Sequence, residues 1–211
     1  MNRAFETWEY EEVENHFGLK RIKNAALLSS WLNTPIEISE TVKSYIKIIQ
    51  EKLIDNAESW NEDELKMFFI APLLSQVTLE FGDFKPFTQR TISANFPELN
   101  IAISGKVEFF VARGKQRPKE PYFFLHEYKQ ERRRQNDPLG QLLISMVAAR
   151  HNNEKETPLF GCYVVGRDWF FVVLNEQEYS VSLACDATKT NELYQITSML
   201  SAMPEIIQRY L

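Results

Sequence analysis

The feature that most constrains the fold is a pair of strand-like segments joined by a short polar connector. Residues 99–113 (LNIAISGKVEFFVAR) and 121–130 (PYFFLHEYKQ) show short-period alternation and many β-branched and aromatic side chains. The connector between them, GKQRPKE at residues 114–120, combines glycine and proline with charged residues, which favours a hairpin loop. The sequence therefore predicts two antiparallel neighbouring strands.

Both strands of this predicted hairpin carry a glutamate beside apolar residues. Glu108 stands directly before the run FFVA, and Glu127 follows an apolar run and precedes Lys129 by one spacer. Glutamate is depleted in strands and is rarely buried without a partner. A loop centred near residues 116–118 pairs Glu108 with Glu127, so we expect the two carboxylates to lie close together.

Two adjacent carboxylates repel each other, and a divalent cation relieves that repulsion. Carboxylate oxygens, a backbone carbonyl and waters are the ligands that Mg²⁺ or Mn²⁺ prefers. A nearby lysine such as Lys129 can orient an attacking water or stabilise phosphate charge. This combination suits hydrolysis of a phosphodiester. The alternative is a salt bridge between Glu127 and Lys129 at a solvated strand end.

The flanking segments predict an α/β arrangement, with a helical extension over residues 1–60 and a domain over 61–211 that together form one compact unit. Helical patterns cover 5–17, 19–33, 39–60, 61–81, 137–153 and 190–211, and further strands are predicted within 85–96 and 159–184. Ser39, Asn61 and Asp137 are candidate N-caps. Pro72 predicts a kink or break near Ile70–Ala71. Helices on both sides of a hairpin-rich sheet are typical of a layered α/β fold.

The charge of the chain limits how it can bind nucleic acid. The 211 residues carry a net charge of −5, so a globally basic coat is excluded and any such contact needs a local patch. Arg132, Arg133 and Arg134 form one basic cluster, and the connector adds the cations of residues 113–119. The start of the sequence is acidic and lacks a signal-peptide pattern, and no apolar run is long enough to cross a membrane, which predicts a cytoplasmic protein.

The segment Gly105-Lys106-Val107-Glu108, the hairpin, Glu127-Tyr128-Lys129 and the following helix together resemble the PD-(D/E)XK nuclease superfamily. This resemblance extends over about 115 residues, and it implies a restriction-endonuclease-like core with the order α-β-β-β-α-β and a mixed sheet. The segment is also similar to the N-terminal nuclease regions of type I restriction subunits.

The resemblance implies roles for particular residues. Glu108 and Glu127 would bind Mg²⁺ or Mn²⁺ with Glu64 of the first core helix, and Lys129 would serve the catalytic water. Contacts to nucleic acid would come from five further residues: Lys106, Arg132, Arg133, Arg134 and Gln141.

The expected function is metal-dependent hydrolysis of nucleic acid, DNA rather than RNA, and the resemblance implies an enzyme that can pair as a homodimer. The alternative is a nuclease-like fold without catalysis that binds nucleic acid or protein. Val107-Glu108 stands where the family has Pro-Asp, which favours the alternative, whereas the intact E-x-K pattern of residues 127–129 favours the enzyme.

Overall fold

The computed structural model describes residues 2–23, 25–34, 36–129, 137–153 and 155–211, with the side chains of residues 2, 120, 121 and 123–125 left out. The helices in this part of the chain are α1 Tyr10–Phe17, α2 Ala26–Leu32, α3 Glu40–Asn56, α4 Glu62–Leu65, α5 Ala71–Leu74, α6 Pro138–Asn152, α7 Thr190–Ser201 and α8 Met203–Gln208. The strands are β1 Asn2–Ala4, β2 Lys20–Arg21, β3 Phe84–Phe96, β4 Ile101–Arg113, β5 Lys119–Lys129, β6 Leu159–Val165, β7 Asp168–Asn175, β8 Glu178–Val181 and β9 Cys185–Asp186.

The strands form one mixed sheet with the order β1-β4-β5-β6-β7-β8-β2, in which β3 also pairs with β4 and β9 with β7. The pairs β3–β4, β4–β5, β6–β7, β7–β8 and β7–β9 are antiparallel. The pairs β1–β4, β5–β6 and β2–β8 are parallel. α6 connects β5 to its parallel neighbour β6, as parallel pairing requires. The protein therefore has a mixed α/β fold, as the sequence predicts.

The register of the central hairpin agrees with the prediction. β4 ends at Arg113 and β5 begins at Lys119, so the loop falls on residues 114–118. Arg113 pairs with Lys119 next to this loop. Two register shifts between Val111 and Arg113 then bring Phe109 opposite His126, which is the pairing that the sequence predicts. Glu108 and Glu127 each lie one residue beyond this pair.

Helices cover both faces of the sheet and create two hydrophobic cores. The first core packs α2, α3, α7 and α8 against one face, with Trp31, Trp169 and Phe171 almost fully buried. The second core packs α6 and the N-terminal residues against the other face. Every residue of α6 from Leu139 to Ala149 is buried, so this helix lies inside the protein rather than on its surface. No helix within the described ranges is long and apolar enough to cross a membrane.

The first sixty residues are part of this fold and not an added helical layer. β1 pairs with β4 at residues 102–104, and β2 pairs with β8, so this region extends the sheet at two places. Phe5 and Trp8 are each 1% exposed in the second core. The prediction of one helix over 19–33 is wrong at its start, because β2 occupies residues 20–21 and α2 begins only at Ala26.

The helix predicted over 61–81 ends at Leu74, and a π-helical turn that ends at Ile70 interrupts its α-helical pattern where Pro72 predicts a kink or break. A π-helical turn at Lys66–Ile70 joins α4 to α5, and the Ala71 N–H donates to the Lys66 carbonyl. Proline lacks an N–H and crowds the carbonyl four residues earlier, and a wider turn accommodates both effects. The backbone thus remains helical through Pro72.

The backbone of residues 8–10 approaches α6 so closely that position 140 has no space for a side chain larger than that of glycine. A Cβ built on Gly140 would lie 2.4 Å from the Trp8 carbonyl oxygen and 2.7 Å from the Tyr10 nitrogen. The Tyr10 N–H also donates to Asp137 Oδ2 at 2.7 Å, which fixes the same contact. Main-chain atoms cannot move away as a flexible side chain can.

We expect Gly140→Ala to destabilise the protein by about 1–2 kcal/mol, because overpacking displaces the backbone of residues 8–10. Helix propensity alone predicts the opposite sign, a gain of up to ~1 kcal/mol. Urea unfolding of the variant beside the wild type measures the difference. A variant as stable as the wild type, or more stable, would contradict the close approach.

Candidate functional site

The candidate site lies where β4 loses its pairing with β5. β3 pairs with one edge of β4 along almost its whole length. The other edge is divided, because β1 pairs with residues 102–104 and β5 pairs with 109–113. Residues 105–108 lie between these two ladders, and Glu108 is the last of them. The β4–β5 pairing therefore ends just before the two carboxylates.

The backbone is irregular at Glu108. Val107 packs in the second core whereas Phe109, two residues later, packs in the first, so strict alternation of side chains is interrupted between them. The β3–β4 ladder passes from Thr88–Phe109 to Arg90–Val107, and Gln89, which stands opposite Glu108, has a φ of 53°, in the left-handed region. Such interruptions often re-aim a side chain next to an active site.

Gln89 holds Glu108 in this position. Its Nε2 donates to Glu108 Oε2, although Gln89 itself is exposed. The sequence analysis did not identify Gln89, because one polar residue in an alternating strand carries no signal of a left-handed backbone.

Glu127 and Lys129 form an ion pair at the end of β5. Glu127 is only 3% exposed, and its Oε1 lies 2.6 Å from Lys129 Nζ. Burial raises the pKa of Glu127 to about 7, against the lowering effect of Lys129, and the carboxylates of Glu108 and Glu62 raise it further. For Lys129, burial opposes the charge, but Glu127 and Glu62 outweigh it and raise the pKa.

The carboxylate that α4 contributes to the site is Glu62, whereas the predicted residue was Glu64. Glu64 closes a capping box, because its Oε2 accepts from the Asn61 N–H at 2.8 Å while Asn61 Oδ1 accepts from the Glu64 N–H at 3.0 Å. Glu62 Oε2 lies 3.6 Å from Lys129 Nζ. The acidic run Glu62-Asp63-Glu64 signals both roles, but it does not tell which carboxylate faces the sheet.

Lys66 is a second lysine of the site that the sequence analysis missed. Its Nζ lies 2.8 Å from Glu62 Oε1 and 2.8 Å from Glu108 Oε2. Burial again opposes the charge, but the hydrogen bonds to Glu108 and Glu62 outweigh it and raise the pKa of Lys66. Lys66 is the first residue of the π-helical turn, so that turn helps to direct it towards β4.

These contacts form one continuous chain of charges, which links Glu127, Lys129, Glu62, Lys66 and Glu108. The chain holds three carboxyl groups and two ammonium groups, so one negative charge is in excess when all are ionised. Their oxygens are of the kind that Mg²⁺ and Mn²⁺ bind. Among the described residues, no group of three or more His, Cys, Asp or Glu side chains is already arranged to hold a metal. The donor atoms fit a cation, but the lysines would have to move to admit one.

The remaining predicted residues have different surroundings. Gln141 lies in the first turns of α6, is 8% exposed, and its Oε1 has no hydrogen-bond partner within the described part of the chain. Lys106 is exposed on β4. Arg132, Arg133 and Arg134 lie outside the described residues.

His126 belongs to the core, not to the site. It is 1% exposed and its Nδ1 lies 3.1 Å from the Tyr128 hydroxyl and 3.2 Å from Cys162 Sγ. Burial lowers the pKa of His126 to about 3, so the ring is neutral. Glu127, its neighbour in sequence, points to the charged site.

The fold and this cluster define a mixed α/β protein with a buried acid–lysine site at a strand separation. The chain matches no protein-family model and no curated protein sequence. A function for the chain therefore rests on the chemistry of its own residues.

Glu127 predicts a pH dependence of stability. The carboxyl keeps its proton up to about pH 7 in the folded protein but loses it near 4.5 when unfolded, so the folded state binds more protons between these values. Stability should therefore fall as the pH rises through this window. Relative to Glu127→Gln, which cannot ionise, the wild type should lose up to ~3 kcal/mol of unfolding free energy.

Urea unfolding at several pH values between these limits measures this difference. Glu178→Gln is the control, because it removes an exposed carboxyl of β8, whereas Glu127→Gln removes a buried one. A difference between wild type and Glu127→Gln that does not change with pH would contradict the raised pKa.

Proposed function

We propose that the protein is a metal-dependent nuclease with a restriction-endonuclease-like core. The observation that carries the proposal is the meeting of Glu108 and Glu127, from adjacent strands, with the lysines and Glu62 at the separation of β4 and β5. The element order supports it, since α4–α5, β3, β4, β5, α6 and β6 follow each other as α-β-β-β-α-β. The E-x-K residues occupy the third strand of this unit.

Glu108 and Glu127 would hold the cation, with Glu62 in the role first expected for Glu64. A bound Mg²⁺ or Mn²⁺ would polarise a phosphate oxygen and lower the pKa of a water. Glu127 must lose its proton to bind a cation, so its raised pKa makes binding stronger at higher pH. Lys129 would orient the water and hold the developing negative charge. Lys66 would have to leave Glu62 or Glu108 when the cation enters.

The substrate that we propose is nucleic acid, DNA rather than RNA. A phosphodiester is the group for which a cation, a lysine and carboxylates at one place are suited. Exposed Lys106 on β4 supports a contact to the nucleic acid, whereas the contact expected from buried Gln141 stays a prediction. The arginine cluster 132–134, a homodimer and a cytoplasmic location stay predictions.

Lys66 favours a second candidate, a nuclease-like fold that binds nucleic acid or protein without catalysis. Its Nζ already neutralises Glu62 and Glu108, which is the work a cation would do. In that case the charge chain stabilises the fold and needs no metal. Metal binding distinguishes the two candidates.

We expect Mn²⁺ to bind the wild type at a pH above the Glu127 titration. Glu62→Ala, Glu108→Ala and Glu127→Ala should each weaken binding by at least about tenfold, since each removes a ligand. Isothermal titration calorimetry, with and without a non-cleavable oligonucleotide, measures the affinity.

Glu64→Ala is the matched control, because it removes a carboxylate two residues from Glu62 but only breaks the capping box. It should cost about 1 kcal/mol of stability and leave Mn²⁺ affinity unchanged. If Mn²⁺ does not bind even with the oligonucleotide, or if Glu64→Ala weakens binding as much as Glu62→Ala, the metal site as proposed is wrong.

Lys129→Gln should keep Mn²⁺ binding but lower the rate of oligonucleotide cleavage by about a hundredfold or more, because it removes the group that orients the water. Single-turnover cleavage with the metal at saturation measures this rate. A variant that cleaves as fast as the wild type would remove Lys129 from the mechanism.

A further inference from the structure

A strongly basic cleft lies at the C-terminal end of β4, where the hairpin turns. Its lining includes five cations, Lys85, Arg113, Lys115, Arg117 and Lys119, against two carboxylates, Glu80 and Asp83. The cleft has a volume of about 770 Å³. A surplus of positive charge at this one place contrasts with the net charge of −5 of the whole chain.

The cations of this cleft are not used by the fold as ion-pair partners. None of the five makes an ion pair with an acid among the residues that the structure describes. Arg113, Lys115, Arg117 and Lys119 are all exposed. Cations that have no internal acid remain available to an anionic ligand.

Two side-chain contacts and a tight turn at Gly114 fix the shape of the hairpin tip. Lys85 Nζ donates to the Lys115 carbonyl and ties the start of β3 to the loop. Gly114 has a φ of 120°, and a Cβ there would lie 2.2 Å from the Arg117 carbonyl oxygen, so the turn is tight. The Arg113 guanidinium lies over the Phe84 ring at 5.1 Å. The tip therefore presents its charges from a defined backbone.

The composition of the cleft favours nucleic acid over an acidic protein. Protein interfaces have an apolar centre, whereas nucleic-acid interfaces are more polar and far more positively charged. Phe84 is the one large apolar residue of the lining, and it is only 4% exposed. The cleft offers charge without an exposed apolar surface.

The cleft lies at a distance from the acid–lysine site that a nucleic-acid strand can span. Arg113 is five residues beyond Glu108 on β4, which is about 17 Å of extended strand. A nucleic-acid strand advances ~3.4 Å per nucleotide, so this separation corresponds to about five nucleotides. The basic cleft is therefore a second contact region, separate from the carboxylates of the acid–lysine site.

We propose that this basic cleft binds the phosphate backbone of the nucleic acid about five nucleotides from the acid–lysine site. This inference rests on the proposed function for the identity of the ligand, but the binding itself needs no metal and no cleavage. It assigns residues 113–119 to positioning and affinity, without sequence recognition, because phosphate contacts carry no base information.

Fluorescence anisotropy with a labelled oligonucleotide of about ten nucleotides, in EDTA, tests the cleft without catalysis. The triple variant Lys115→Gln, Arg117→Gln, Lys119→Gln should bind at least about tenfold more weakly at low salt. The slope of log affinity against log salt should fall by about 0.7–0.9 for each lost phosphate contact. An oligonucleotide of about four nucleotides, too short to reach both regions, should not distinguish wild type from variant as strongly.

The matched control is Lys20→Gln, Lys47→Gln, Lys52→Gln, which removes the same charge at exposed positions on β2 and α3. It should retain the affinity and the salt slope of the wild type. Equal losses of affinity in both triple variants would show an effect of net charge alone and would overturn the proposal that the cleft binds the phosphate backbone. Polyglutamate that competes as well as the oligonucleotide at equal charge would assign the cleft to an acidic protein instead.

The outcomes also separate this inference from the proposed nuclease function. If the hairpin variant binds normally and the wild type cleaves, the cleft is wrong and the nuclease stands. If the variant loses binding but the wild type neither binds Mn²⁺ nor cleaves, the cleft stands and catalysis is wrong. If the wild type binds no oligonucleotide in EDTA, the cleft is wrong, and the Mn²⁺-binding and cleavage measurements alone decide the nuclease function.

Discussion

The buried ion pair between Glu127 and Lys129 is the interaction on which the site depends. A carboxyl that is 3% exposed loses most of its hydration, and such a loss costs several kcal/mol unless other charges offset it. Lys129 alone does not offset this loss, because the pKa of Glu127 stays above that of an exposed carboxyl. The neighbouring charges on α4 and β4 are therefore not independent surface pairs. They share one weakly hydrated region, and a change in any member alters the others.

The rest of the architecture holds this pair at a fixed place. β5 pairs with β4 as far as His126 and with β6 along residues 124–129, and residues 126–128 are buried. α6 connects β5 to β6 and is buried from Leu139 to Ala149, so it belongs to the core that supports the strand end. The β4–β5 pairing ends at Phe109, so Glu108 and Glu127 lie where the two strands are no longer hydrogen-bonded to each other.

Much of this arrangement was predictable from the sequence, because it follows from local rules. The position of the connector predicted which residues of β4 and β5 lie near each other, although the two register shifts of β4 near the loop left no pattern in the sequence. The mistaken choice of Glu64 has a physical cause. Both acids lie in the first turn of α4, and the capping-box pattern is a local contact, whereas the side facing β4 depends on how the helix packs. Gln89 and Lys66 were missed because a left-handed strand residue and a π-helical turn have no reliable pattern in sequence. β1 and β2 have three and two residues, too few to show alternation.

The irregular backbone at Glu108 places a long acidic side chain where the pairing of β3 with β4 is interrupted. A glutamate side chain is one methylene longer than an aspartate, so on a regular strand its carboxylate would reach past the position of an aspartate. The Gln89 amide donates to the Glu108 carboxylate from the left-handed residue that stands opposite it. Lys66 contacts the same carboxylate from the π-helical turn. The left-handed residue and the helical turn thus both hold Glu108 at its place in the site.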